Sequence, residues 1–150
     1  MIRRLNHRDT TDFCEFISRV KDSFEDFYIT QNKQRVFLRD SKLIKKILKY
    51  QEVYAIDDGE IHALLLIYRE KGYRPYVKIL SEKINYIYDL LKYLNWNFGN
   101  QELFIKVKRD NPIVHIAQKK WWNFLGARGQ EILLIHKKWE IKNARNNFKD

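Results

Sequence analysis

The sequence predicts an α/β fold in which six to seven strands form a central sheet flanked by about four helices. Three observations support this prediction. Apolar residues recur at helical spacing in three separate segments. Short apolar runs rich in β-branched residues separate these segments. Between two such runs lies Asp58-Gly59, a pair typical of a tight hairpin.

Length and composition limit the domain organisation and the classes of site. The 150 residues fit one domain, expected over 1–141 and followed by a basic, frayed tail over 142–150. Cys14 is the only cysteine, which excludes an intrachain disulfide and a cysteine-rich zinc site. No His, Asp or Glu residues have metal-ligand spacing, so no metal site is predicted.

Charge and hydropathy limit location and partners. The chain has 29 Lys and Arg against 19 Asp and Glu, a net charge of +10. This charge favours acidic partners such as nucleic acid, phosphorylated cofactors or anionic surfaces, without choosing among them. No apolar run approaches the roughly 18 residues of a membrane span, and the N-terminus is too polar for a signal peptide. We therefore expect a soluble, cytoplasmic protein without membrane partners.

The first third of the chain is predicted to hold one strand and two helices. Residues 2–5 alternate apolar and basic side chains, as an opening strand does. The first helix follows the N-cap candidates at 9–11, and the second follows Asp40 or Ser41. The apolar stripes of the two helices are Phe13, Phe16, Ile17 and Val20, then Leu43, Ile44, Ile47 and Leu48. Between the helices, 22–37 is expected to be a loop or short helix whose aromatic residues could line a substrate cleft.

The middle of the chain changes to strand periodicity. We predict strands over 53–56, 61–69 and 76–80, joined by a hairpin at 57–60 and a turn at 70–73. Together they make a three-stranded antiparallel meander. Ser81 is then the predicted N-cap of a third helix. The apolar positions of that helix are Ile84, Ile87, Tyr88, Leu91 and Leu94.

The last third repeats the passage from strand to helix to strand. Residues 103–108 alternate as a strand, and Pro112 suits the first turn of a helix from Ile113 to Leu125 that ends at Gly126. Residues 131–136 are predicted to be a final strand that continues through 139–141.

The order β, α, α, β, β, β, α, β, α, β resembles that of the GNAT superfamily of N-acetyltransferases, from Ile2 to about Ile141. The segments that carry the resemblance are the hairpin at 57–60, the passage from strand to helix at 80–84, and the closing unit 103–134. The resemblance implies a mixed, mostly antiparallel sheet that splays open at a central strand pair, with acetyl-CoA in the gap. It also implies transfer of acetyl to an unidentified amine of a small molecule or protein.

The resemblance further implies where acetyl-CoA would bind. In GNAT enzymes the pantetheine pairs with the backbone of the fourth strand, and the pyrophosphate lies on N–H groups at the start of the next helix. A helix N-terminus binds phosphate because its first N–H groups are unpaired and carry partial positive charge. The cofactor-binding residues implied here are Val77, Ile79, Leu80, Ser81, Glu82, Lys83 and Ile84.

This phosphate loop departs from the family pattern. The usual loop has Arg or Gln, two variable residues, then Gly-x-Gly or Gly-x-Ala, because glycine lets the backbone wrap a phosphate closely. Residues 81–86 read SEKINY, with no glycine, and the loop is about two residues short. Glu82 adds negative charge beside the expected phosphate, which Lys83 would offset.

The last helix also departs from the family pattern. GNAT members commonly place a tyrosine, which protonates the departing thiolate, four residues before the glycine that ends this helix. Counting back from Gly126 gives Trp122, whose indole is not a practical acid at neutral pH. The family's asparagine lies about one helical turn closer to that glycine than Asn111 does. Either the helix is longer by a turn, or Asn111 is not equivalent.

The predicted catalytic residues are His62 and Asn111. His62 follows the hairpin, and a histidine pKa of about 6.5 suits a general base; the alternative is a half-buried strand histidine with a satisfied hydrogen bond. Asn111 would line a polar pocket with His115 and Gln118, unless these residues are ordinary neighbours on an exposed helical face.

A second functional hypothesis follows from the basic residues around Trp121 and Trp122. On a helix the two side chains point about 100° apart, so one can be buried while the other covers a cleft. Aromatic residues among cations can bind single-stranded nucleic acid, although solvated lysines beside a buried tryptophan explain the same pattern. The alternative function is therefore a GNAT-like fold without cofactor binding, acting as a basic binding or structural protein. A GNAT-like chain of this kind loosely resembles small proteins of tailed phages, and this resemblance would place the protein in a virion.

Overall fold

The computed structural model describes residues 1–20, 28–31, 34–69, 75–99 and 101–136, which form nine strands and four α-helices. The strands are β1 (Ile2–Arg4), β2 (Tyr28–Gln31), β3 (Gln34–Phe37), β4 (Glu52–Asp57), β5 (Ile61–Arg69), β6 (Pro75–Ser81), β7 (Phe104–Lys108), β8 (Trp122–Arg128) and β9 (Glu131–His136). The helices are α1 (Thr10–Val20), α2 (Ser41–Tyr50), α3 (Ile84–Phe98) and α4 (Ile113–Lys120).

Seven strands form one mixed sheet in the order β1-β4-β5-β6-β7-β9-β8, and β2 and β3 form a separate antiparallel hairpin. Within the described residues every pair in the large sheet is antiparallel except β6 with β7. This confirms the predicted α/β class and the mostly antiparallel sheet, because β4, β5 and β6 form the expected meander.

Each face of the sheet packs against helices. The face with Leu64 and Leu66 packs with α1 and α2, and the face with Leu65 and Ile67 packs with α3 and α4. Because successive strand residues point to opposite faces, β5 is almost continuously buried. The predicted stripe of α1 is confirmed, since all four of its residues are buried. On α2, Leu43 is only partly buried, while Lys42, Lys45, Lys46 and Lys49 are exposed on the opposite side.

The hairpin between β4 and β5 is confirmed and is tied to the N-terminal strand. Gly59 has φ +111°, a conformation that favours glycine, and its N–H donates to Oδ1 of Asp57 at 2.8 Å. Nε of Arg3 donates to Asp57 at 2.7 Å, and the same guanidinium contacts Asp9. These bonds lower the pKa of the Asp57 carboxyl, chiefly through Arg3.

Three local predictions are wrong. Residues 28–31 and 34–37 form the β2–β3 hairpin instead of a loop or helix, because pairing satisfies their backbone and buries Tyr28 and Ile29. Ser81 is not an N-cap, because it ends β6 opposite Ala63. The last helix ends at Lys120 and not at Leu125, because residues 122–128 pair with β9 as strand β8.

The two tryptophans therefore do not share a helix. Trp121 follows the last residue of α4 and packs against Tyr88, with ring centroids 5.6 Å apart. Trp122 begins β8, is 1% exposed, and meets His136 edge-on at 5.1 Å. The expectation that at least one tryptophan is buried is confirmed. The predictions for the turn at 70–73, for strand continuation through 139–141 and for the tail at 142–150 lie outside the described residues.

Candidate active site

Strands β6 and β7 part in the middle of the large sheet. They pair only at Tyr76 with Phe104 and at Val77 with Ile105, although β6 continues to Ser81 and β7 to Lys108. We call the space beyond these two pairs the gap, and its closed end the apex. The gap leaves backbone groups of β6 available to a ligand on the side facing β7.

The residues implied for acetyl-CoA binding fall into two groups along this edge. The side chains of Val77, Ile79, Leu80 and Ser81 are buried, with exposures of 0 to 8%. Glu82, Lys83 and Ile84 are exposed at the start of α3. A ligand in the gap would therefore meet β6 through its backbone, and would meet the second group at the surface.

At the apex lies an amine that the sequence analysis did not single out. Lys78 is 1% exposed, and its Nζ donates to the carbonyl oxygen of Lys106 at 2.7 Å across the gap. The same Nζ lies 4.0 Å from the centroid of the Tyr28 ring. In the sequence, Lys78 between Val77 and Ile79 looks like the polar position of an ordinary half-exposed strand. Only the packing of the β2–β3 hairpin shows that it is buried.

An ion cluster connects the β2–β3 hairpin to the far side of the gap. Arg35 pairs with Glu131 of β9, and its guanidinium lies 5.0 Å from the centroid of Tyr28. Glu131 also lies 3.4 Å from Nζ of Lys106 on β7. Through these contacts the hairpin covers Lys78 on the α1–α2 side of the sheet.

The start of α3 is exposed and has no side-chain cap. Its N-cap, Lys83, makes no capping bond, and Ile84 is 59% exposed. The Ser81 hydroxyl donates to the Lys83 carbonyl at 2.6 Å and accepts from the Lys83 N–H at 3.2 Å. Ser81 thus shapes the loop instead of capping the helix. The Tyr86 N–H donates to the Lys83 carbonyl at 3.2 Å. The N–H groups before it, at the exposed start of α3, suit an anion.

Glu82 beside this helix start contacts two basic groups. Its Oε1 lies 3.3 Å from Nη2 of Arg19, and its Oε2 lies 2.9 Å from Nδ1 of His62. Arg19 also donates to the Ile61 carbonyl at 2.8 Å, which holds its guanidinium in place. These contacts, which the sequence analysis did not connect with Glu82, reduce its repulsion of phosphate. Arg19 also pairs with Glu60 at 3.1 Å, so the reduction is partial.

His62 lies between two carboxylates. Its Nδ1 meets Glu82, its Nε2 meets Oδ1 of Asp58 at 2.8 Å, and its ring stacks on Tyr86 with centroids 5.5 Å apart. The hydrogen bond to Glu82 is the largest cause that raises the pKa of His62, and the hydrogen bond to His62 lowers the pKa of Asp58. A protonated imidazole can donate to both carboxylates, so this geometry favours the imidazolium.

We call His62 with its hydrogen bonds to Glu82 and Asp58 the clamp. We predict that the clamp loses its stabilising effect on the folded state as the pH rises. Because the folded pKa of His62 lies above its unfolded value of about 6.5, the stabilisation is fully present below that value and is lost as pH rises through the folded pKa. His62→Phe keeps the stacking on Tyr86 and removes both hydrogen bonds. Urea unfolding should show a larger deficit for this variant at about pH 6 than at about pH 9.

The control for this pH experiment is His115→Phe, since His115 is exposed on α4. It accounts for the loss of a histidine outside the clamp. A deficit for His62→Phe that stays constant between the two pH values would contradict the predicted clamp.

Asn111 directly precedes Pro112, the N-cap of α4, and is 7% exposed. Its Oδ1 accepts the N–H of Ile113 at 3.0 Å, and its own N–H donates to the Lys108 carbonyl at 3.0 Å. His115 is exposed on the same helix and Gln118 is partly buried. Counting back from Gly126 is wrong, because Gly126 lies inside β8 at a register shift and does not end a helix.

A basic groove follows the outer side of α2. It encloses about 530 Å³ and is lined by Asp40, Lys42, Leu43, Lys45, Lys46, Lys49 and Tyr50. The basic and aromatic cluster predicted around both tryptophans does not assemble as expected, because Trp122 is buried and Lys106 lies beside Glu131. In the described ranges no three His, Cys, Asp or Glu residues are placed to hold a metal ion. No helix in the described part is long and apolar enough to cross a membrane.

The chain has the fold of the GNAT superfamily, with the sheet parted at its parallel pair and two helices on each face. It is similar in structure to an N-acetyltransferase from Staphylococcus aureus Mu50, at 15% identity and a TM-score of 0.69, covering 92% of this chain and 97% of that one. No family model matches the sequence, and no curated protein matches it.

Two further solved structures are similar. A ribosomal-protein-alanine N-acetyltransferase from Brucella melitensis has a TM-score of 0.66 at 13% identity, over 91% of this chain and 98% of that one. A spermidine N-acetyltransferase variant from Vibrio cholerae has a TM-score of 0.64 at 10% identity, over 97% and 99%. At these identities the similarities establish the fold.

Proposed function

We propose that this chain is an N-acetyltransferase that moves acetyl from acetyl-CoA to an amine. The observation that carries the proposal is the gap between β6 and β7, which leads from the apex at Val77 to the uncapped start of α3. The structural neighbours are N-acetyltransferases by name, which supports the same reading.

The residues present fit acetyl-CoA. The open edge of β6 from Val77 to Leu80 suits the pantetheine, and the first N–H groups of α3 with Lys83 suit the pyrophosphate. The missing glycine is less important than the sequence suggested, because Lys83 has the ordinary extended backbone of φ −138° and ψ 151°. Arg19 and His62 reduce the repulsion from Glu82, although each also pairs with a second carboxylate. In this proposal the buried side chains of Ile79 and Leu80 shape the gap. Ile84 is the exposed first residue of the helix that binds the phosphates.

Acetyl-CoA supplies the thioester, and the chain supplies orientation and charge. Amine acetylation depends mainly on proximity and on a deprotonated amine. Two observations argue against His62 as the base. Both of its ring nitrogens contact carboxylates. His62 also lies near Ser81 at the open end of the gap, roughly 10 Å along β6 from the apex at Lys78, at about 3.3 Å per residue. We propose that His62 instead holds Glu82 at the phosphate end, and its base role stays a prediction.

Because α4 ends at Lys120, different residues correspond to the family's asparagine and tyrosine. Trp122 follows Trp121, the C-cap of α4, and lies four residues before Gly126, about one helical turn. If Trp122 takes the place of the family's glycine, Asn111 falls at the family's asparagine, and the tyrosine position falls on Gln118. The Gln118 amide can donate hydrogen bonds but cannot supply a proton as an acid. We propose that Asn111 acts by starting α4 through its bond to Ile113.

The net charge of the chain bears on the choice of acceptor amine. Neighbours are named for spermidine and for the alanine of a ribosomal protein. Spermidine is a polycation, and a chain with a net charge of +10 repels it at long range. We therefore favour an amine on a neutral or acidic molecule, such as the N-terminus of an acidic protein.

The test is a calorimetric titration with acetyl-CoA. Wild type should bind, and Lys83→Glu should bind about tenfold more weakly, because it places a carboxylate where the helix start would hold phosphate. The matched control is Lys92→Glu, since Lys92 is exposed farther along α3. Transfer to acidic N-terminal peptides should then exceed transfer to spermidine.

No binding at about millimolar acetyl-CoA would overturn the enzyme proposal, since it means a binding free energy weaker than roughly −4 kcal/mol. The second candidate is a basic binding protein, favoured by the four exposed lysines of α2. Salt-sensitive binding to nucleic acid without any binding of acetyl-CoA would support that candidate.

A further inference from the structure

The buried amine of Lys78 lies at the apex of the gap. Tyr76 and Val77 pair with Phe104 and Ile105, and Lys78 and Lys106 are the next residues on the two strands. The Lys106 carbonyl points into the gap, where the backbone of β6 no longer pairs with it, and Nζ of Lys78 donates to it at 2.7 Å. The amine therefore occupies the point where the strands separate.

The surroundings of this amine are those of a fixed cation. Its contacts include a carbonyl oxygen and the face of Tyr28, 4.0 Å from the ring centroid. Both are groups that attract an ammonium ion. The side chain is 1% exposed, so its charge acts in a medium of low dielectric constant, where it is effective over short distances.

We propose that the ammonium of Lys78 stabilises the negative charge that forms on the sulfur of acetyl-CoA as acetyl is transferred. This inference rests on the proposed function. Lys78 and Lys83 are five residues apart, roughly 17 Å along an extended chain. An arm bound at α3 by its phosphates and extended along β6 would bring the thioester toward the apex.

The step balances without any further reactant. The amine nitrogen forms a bond to the thioester carbon, the carbon–sulfur bond breaks, and its electron pair leaves on sulfur beside Lys78. The new amide nitrogen releases a proton to solvent, and the thiolate takes one from solvent. No proton needs to pass through Lys78. A charge that is already held by the Lys106 carbonyl stabilises the thiolate without reorganising during the reaction.

This role would compensate for the absent acid. None of the eight residues of α4 is a tyrosine, and Gln118 is no acid. The competing explanation is that Lys78 only ties β6 to β7 where their pairing ends. In that case removing its charge would change stability and leave the rate of transfer unchanged.

The experiment compares Lys78→Met, which has a similar length and no charge, with Lys78→Arg, which keeps a charge. Acetyl-CoA binding is measured first by calorimetry. Thiol release is then followed in a single turnover, with enzyme in excess over acetyl-CoA and with excess n-butylamine as the acceptor, which needs no knowledge of the natural amine. Lys92→Met on the exposed side of α3 is the control.

We expect Lys78→Met to bind acetyl-CoA within about threefold of wild type and to release thiol about 100-fold more slowly. Lys78→Arg should release thiol about tenfold faster than Lys78→Met, because guanidinium is cationic but differs in shape from an ammonium.

Equal rates for wild type and Lys78→Met, with acetyl-CoA bound to both, would overturn the role of Lys78 and leave the proposed function intact. Failure of wild type to bind acetyl-CoA would overturn both. If Lys78→Met does not fold, Lys78→Gln takes its place, because its amide can still donate a hydrogen bond to the Lys106 carbonyl but carries no charge. Equal rates of thiol release for wild type and Lys78→Gln would then overturn the inference.

Discussion

Replacing Trp122 with alanine is expected to lower the free energy of unfolding by about 3–5 kcal/mol, as for other large buried aromatic side chains. Trp122 is 1% exposed and belongs to the core between the sheet and helices α3 and α4. Its ring meets His136 edge-on. Urea unfolding measures the loss, and because the whole domain is marginally stable the variant should unfold at a clearly lower urea concentration.

Trp96 provides the matched control. It lies on α3 and is 76% exposed, so Trp96→Ala should change the unfolding free energy by less than about 0.5 kcal/mol. If the two alanine variants lose similar amounts, β8 does not bury Trp122 as described here. The boundary between α4 and β8 would then have to be revised, together with the position assigned to Gln118.

The parts of the fold that the sequence predicted well are those with local signals. The hairpin at 57–60 has an Asp-Gly pair between two apolar runs, and the stripes of α1 and α2 repeat at helical spacing. A hairpin turn and an amphipathic helix need only neighbouring residues to be recognised. For that reason the meander and the two helices of the α1–α2 side were predicted close to their observed bounds.

The parts that the sequence predicted badly depend on distant pairing. Residues 122–128 look like the end of a helix until β9 pairs with them, and propensity is readily overridden by such tertiary context. The error had a functional consequence. With the helix drawn too long, the family's tyrosine position was counted from Gly126, and Asn111 seemed a turn out of place.

The candidate site was predicted in its backbone and missed in its charges. The passage from strand to helix at 80–84 identified the open edge of β6 and the start of α3. It did not show that Arg19, on a distant helix, contacts Glu82, or that Lys78 is buried at the apex. Charges that meet across the sheet have no fixed spacing in the sequence, so only the fold brings them together.

Phe13 is expected to be as important on the opposite side of the sheet. It has no exposed surface and packs where α1 and α2 cover the strands. Phe13→Ala should lower the unfolding free energy by about 3–5 kcal/mol, because the cavity left in this packed layer cannot fully collapse. Phe124, which is 54% exposed on β8, is the matched control, and Phe124→Ala should cost less than about 0.5 kcal/mol.

The effects of Phe13 and Trp122 on the unfolding free energy should be independent, because the two side chains pack on opposite faces of one sheet and belong to separate clusters. The milder changes Phe13→Leu and Trp122→Phe should lower the unfolding free energy additively, within about 0.5 kcal/mol, in a single urea transition. Additivity with one transition means that the sheet joins two independent cores into one cooperative unit. A coupling above about 1 kcal/mol would contradict this separation and would show that packing on one face shifts the strands that border the gap.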